Sequence, residues 1–135
     1  MRKTVLIVST ATLLAAFAFA GCGTRCPSGP PIATDDRAIT GRATPVGLPI
    51  IANDDAYGKA SLDADSIDLD PSTPGTQRSI MTNEGGYMLD LLSNVTFIPA
   101  NGFLGDAAIR YTITDSDGLV SEPTHILMTM QEVTR

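Results

Sequence analysis

The stretch from Ser93 to Gly118, SNVTFIPANGFLGDAAIRYTITDSDG, constrains the fold more than any other part of the chain. Val95, Phe97 and Pro99 alternate with Thr96 and Ile98. After Asn101-Gly102-Phe103-Leu104-Gly105 a second alternation begins, with Ile109, Tyr111 and Ile113 on one side and Arg110, Thr112 and Thr114 on the other. A period of two sends successive side chains to opposite faces, so each run reads as a strand with one buried face. Asp115-Ser116-Asp117-Gly118 then supplies the residues of a tight turn.

The same reading extends along the chain. Short strands are expected at Ala38–Thr40, Pro45–Asn53, Ser66–Asp70 and Arg78–Thr82. Pro49 implies an edge position or a bulge in the second of them. Tyr87–Asp90 and Val95–Ile98 form a hairpin around Leu91 to Asn94, and Thr124–Met130 closes the set with Ile126, Met128 and Met130 on one face. Turn residues recur every eight to twelve positions and no helical period is visible, which predicts an all-β, two-sheet antiparallel β-sandwich of seven or eight strands. With aromatics at 5% and no Trp, its core must be mainly aliphatic.

The N-terminus speaks to the compartment. Arg2-Lys3 precedes an apolar run from Thr4 to Ala20, the layout of an export signal. Ala18-Phe19-Ala20-Gly21-Cys22 resembles a bacterial lipobox, in which the Cys is lipidated and becomes the mature N-terminus. The expected organisation is a lipoprotein signal peptide over 1–21, lipidated Cys22 and a flexible tether over 22–34, and a sandwich domain over 35–135. Several acyl chains on one Cys anchor firmly where a single chain does not. Gly23 after the Cys resembles the signal for the outer membrane. Cys26 is expected to remain unpaired in the tether.

From Thr44 to Met130 the chain resembles the bacterial Ig-like or cadherin-like surface repeats, and within them is most similar to the CshA-type fibril repeat. The residues that carry the resemblance are Pro45-Val46, Ile51-Ala52-Asn53-Asp54, Leu62-Asp63, Ser66-Ile67, Gly86-Tyr87 and Asn94-Val95-Thr96-Phe97-Ile98-Pro99. Gly102-Phe103-Leu104-Gly105, Tyr111-Thr112-Ile113-Thr114-Asp115 and Asp117-Gly118 complete the series. The resemblance implies a sandwich used in extracellular stalks and adhesins. One copy behind a lipid anchor points to a single presented module rather than a fibril.

Charge and chemistry narrow the function. The chain holds 15 acids against 9 bases. Without residues 1–21, Arg2 and Lys3 are gone and the net charge is −8, which disfavours nucleic acid and anionic lipid headgroups as partners. The single His, His125, is expected to be exposed on the last strand, and no catalytic triad can be drawn, so an enzyme is not expected. Asp35, Asp36, Asp54, Asp55, Asp63, Asp65, Asp115 and Asp117 are expected at one pole of the sandwich. There they either hold a weak calcium site, since Ca²⁺ takes six to eight oxygen ligands, or serve as solvated turn formers. Tyr57 and Tyr87 are the candidate aromatics for stacking on a glycan. The expectation is an envelope lipoprotein that presents one Ig-like module for adhesion or structural contact with a protein. The alternative is an accessory module that binds glycan or calcium, or docks in a periplasmic complex.

Overall fold

In a computed structural model, the described residues run from 28 to 134; the expected signal peptide, Cys22 and Cys26 lie outside them. Eight strands form two four-stranded sheets. The first holds β1 (Asp36–Gly41), β8 (Thr124–Gln131), β7 (Gly105–Asp115) and β3 (Leu62–Asp68), in that spatial order. The second holds β2 (Val46–Pro49), β6 (Asn94–Pro99), β5 (Gly85–Leu89) and β4 (Ser79–Met81). All pairings are antiparallel except β1 with β8, which is parallel from Asp36 beside Ile126 to Gly41 beside Gln131.

The alternating positions read from the sequence form the core between the sheets. Tyr111, Ile113, Ile126 and Met128 face inward from the first sheet, and Tyr87, Val95 and Phe97 from the second, all fully buried. The Tyr87 and Phe97 rings lie 4.6 Å apart at a tilt of 46°, a favourable arrangement of their quadrupoles. Gly85 is required beneath them. Its φ is +155°, and a Cβ there would run into the Ile98 carbonyl and the Phe97 ring. Gly102 (φ +82°) and Gly105 (φ +110°) turn the corner into β7, and Phe103 between them is half-buried against the core rather than fully inserted.

Several boundaries differ from the sequence reading, and three of them bear on the site. The second strand stops at Pro49; Ile50 leaves the ladder and buries in the core, and Ala52–Asn53 form an exposed turn. Pro49 does lie on an edge strand, where its missing N–H costs no ladder bond. The third strand starts earlier, at Leu62, because Leu62 and Asp63 pair with Asp115 and Thr114 of β7 before a bulge. The ordered domain also reaches back ahead of Asp35. Ile32 exchanges backbone hydrogen bonds with Asp55 at 2.8 and 3.0 Å, and Ala33 packs on the core.

Candidate functional site

The strand directions bring the start of β1, the β2–β3 connection, the start of β3, the β5–β6 turn and the end of β7 to one pole. This is where the acidic residues gather, but they do different work there.

At the centre is Tyr111, whose ring is fully buried. Its hydroxyl donates to the Asp54 carboxylate, with both oxygens at 2.9 Å, and has the Ile50 carbonyl at 3.2 Å and the Thr34 carbonyl at 3.4 Å. The Thr34 N–H donates to Asp54 Oδ1 at 2.8 Å. One phenol and one carboxylate thus tie the leading segment, the β2–β3 connection and β7 together. Asp36 sits beside them, 5% exposed, with Oδ2 lacking a hydrogen-bond partner. Burial pushes its pKa up to about 6; the Tyr111 hydroxyl opposes this and the charge on Asp54 adds to it. Burial likewise raises Asp54, against the hydrogen bonds from Thr34 and Tyr111. Desolvation, and then the nearby charges of Asp36 and Asp54, raise Tyr111 strongly, so it remains a neutral donor.

Asp35 turns the other way. Its Oδ1 accepts from the His125 N–H at 3.0 Å and the Thr124 hydroxyl at 2.7 Å, contacts that hold its pKa below the usual carboxylate value. The His125 ring places Nδ1 at 3.5 Å from Asp35 and accepts at Nε2 from Arg110 Nε at 3.2 Å. His125 is exposed, as its alternation implies. The remaining acids close turns. Asp63 accepts from the Asp65 N–H at 3.1 Å. Asp115 is buried and accepts from Asp117 and Leu119, both at 2.9 Å, while its Oδ2 has no partner. Asp55 engages Ile32 through its backbone, and Asp65 and Asp117 are exposed. Among the described residues no three acidic or histidine side chains are arranged to hold a metal ion.

The two tyrosines named as candidates for glycan stacking part company. Tyr87 is fully buried in the second sheet, so its ring is closed to a ligand; inward alternation with Leu89 put it there. Tyr57 is 43% exposed, and a Cβ at Gly29 would meet its ring at 3.5 Å.

A backbone feature escaped the sequence reading. β3 reaches β7 only as far as Thr112, and on that side Gly105 to Arg110 has no neighbouring strand among the described residues. Thr114 turns its N–H and C=O to this side, toward the Ser66 hydroxyl. Alternation directs the backbone groups of Arg110, Ala108 and Asp106 the same way. A groove of about 470 Å³ runs past this edge, lined by Leu69, Ile80, Ile109 and Pro71 and by the polar Asp70 and Arg110. The signal was the mismatch between the eleven residues of β7 and its seven-residue neighbour, which only the register reveals.

Two facing sheets, a parallel first-to-last strand pair and a buried tyrosine bonded across the pole define an immunoglobulin-like β-sandwich. The family model for the bacterial Ig domain matches residues 28–127, and the chain belongs to that family. No curated protein matches the chain. Membership makes it a surface or structural interaction module, in a family that is typically not enzymatic.

Proposed function

We propose that this chain is a bacterial envelope lipoprotein, anchored through Cys22, that presents one Ig-like module for adhesion or structural contact with a protein partner. The observation that carries the contact is the unpaired edge of β7 beside a partly apolar groove. A free row of backbone donors and acceptors next to apolar walls is what an extended protein segment needs to add as a strand. The anchor rests on the sequence pattern that ends at Cys22.

Protease shaving of intact cells tests the display, with a Cys22→Ser variant as control. The expected result is release of the domain from wild-type cells and loss of the cell-bound form in the variant. Protection until the outer envelope is breached would place the module in the periplasm and end the adhesion reading.

A further inference from the structure

The β5–β6 turn breaks the usual rule for exposed turns. Asp90-Leu91-Leu92-Ser93 joins the two strands, and Leu91 is 89% and Leu92 81% exposed. Nothing in the fold requires apolar residues there. The turn is shaped by Asp90, whose carboxylate accepts from the N–H groups of Leu92 at 2.7 Å and Asn94 at 2.9 Å, and from the Asn94 side-chain amide at 3.0 Å. Ser93 is buried with φ at +65°. The polar work is therefore done at the base of the turn, and two leucines are left standing at its tip. Scattered single apolar residues on a surface mean little, but adjacent ones raised on a rigid turn do.

The position of this tip gives it an occupant. It lies at the same pole at which the described chain begins. Ile50, just after β2, donates its N–H to the Ser93 carbonyl and offers its own carbonyl to Tyr111, so the turn and the Tyr111 cluster share one end of the sandwich. Ser28 starts there too, with Gly29 on the Tyr57 ring and Ile32 paired to Asp55. Cys22 is six residues before Ser28, and six residues span at most about 20 Å. An anchor at Cys22 therefore holds this pole within about 20 Å of the bilayer, less than the tether read from sequence would allow. Ile32 and Tyr57, 56% and 43% exposed, add an aliphatic and an aromatic group at that end, the composition that suits a membrane interface.

We infer that the acidic pole is the membrane-proximal end, and that Leu91 and Leu92 enter the interface of the lipid surface as a second, shallow contact. The inference rests on the anchored reading given above. Burial of two leucine side chains is favourable, and the anchor supplies a high local concentration, so a contact too weak to hold a free protein suffices here. The Asp90 carboxylate is exposed beside the tip, and with the other acids of this pole it favours a zwitterionic lipid face over an anionic one. The opposite end then faces away, with Phe103, Val133 and the Gly105 end of the β7 edge presented outward.

Because the chain contains no Trp, one substitution gives one emitter. The test uses the full lipidated protein purified from its own membranes, in phosphatidylcholine vesicles with and without bromine on the acyl chains. Leu92→Trp is expected to lose emission to brominated lipid, whereas Val133→Trp at the far end keeps its emission. Leu91→Ser in the Leu92→Trp background should reduce the quenching. Flotation with the vesicles reports anchoring separately. If the protein floats but Leu92→Trp is not quenched, or only Val133→Trp is, the orientation is wrong while the anchor stands. If it does not float, the anchored reading fails and this inference fails with it.

Discussion

Tyr111 and Tyr87 are both fully buried tyrosines, one in each sheet, yet they do opposite jobs. The Tyr111 hydroxyl lies among the Asp54 carboxylate and two carbonyls. The Tyr87 hydroxyl has no hydrogen-bond partner, and its ring stacks on Phe97. The first tyrosine fastens segments far apart in sequence; the second fills volume. A buried phenol is therefore not a single kind of feature. Its contribution depends on whether the oxygen is met, since an unmet hydroxyl gives up its water on folding and gains nothing in return.

The largest effect belongs to the packing side of this contrast. Phe97→Ala removes a fully buried ring from against Tyr87 and should cost about 3–5 kcal/mol in urea unfolding. A loss below about 1 kcal/mol would mean that the second sheet closes over the gap. Next comes Tyr111→Phe, expected to cost about 1–3 kcal/mol because it leaves the half-buried Asp54 carboxylate, beside Asp36, with the Thr34 N–H alone as donor. No loss would show that the polar cluster holds nothing.

Asp36 sharpens the contrast through pH. Its folded pKa of about 6 lies above the ordinary value of 3.8, so the folded state holds this proton more tightly than the unfolded one. Stability from this group is present below about pH 4, falls as pH rises to about 6, and is level above that. The decline should be about 1–2 kcal/mol once solvent screening is allowed for. Asp36→Asn should remove it and be more stable than wild type at pH 7. An unchanged slope in melting experiments between pH 4 and 7 would remove Asp36 from the account.

Smaller still is Tyr87→Phe, which should leave stability unchanged or raise it by up to about 1 kcal/mol, since only an unmet hydroxyl is deleted. Destabilisation beyond about 1 kcal/mol would reveal a partner for that oxygen. Calcium should do least. With Asp63, Asp90 and Asp115 each accepting from their own turns, millimolar calcium is expected to move the melting temperature by less than about 1 °C relative to chelator. A rise of several degrees would show that the pole rearranges around the ion.

The sandwich was legible because burial on one face writes a period of two into the residues. Ile109, Tyr111 and Ile113 are inward, as are Ile126, Met128 and Met130. The ends of strands were less legible. Pro45–Asn53 reads as one apolar run, and whether Ile50 continues the ladder or dives into the core is decided by the Ser93 carbonyl across the sheet. The acidic pole could be read as a gathering, since turn positions share an end. The division of labour within it could not, because the sequence does not say which carboxylate meets Tyr111 and which meets His125. The free edge of β7 was invisible for a related reason: strand length shows in the pattern, but the register of the neighbour does not.

Amide exchange at Thr34 tests most directly whether Tyr111 and Asp54 pin the leading segment to the sandwich. Its N–H donates to Asp54 Oδ1 at 2.8 Å, one step from the Tyr111 hydroxyl. The amide should be protected in wild type and in Tyr87→Phe, and should exchange at least about tenfold faster in Tyr111→Phe. Equal exchange in all three proteins would contradict the account, leaving two buried tyrosines that serve only to fill the core.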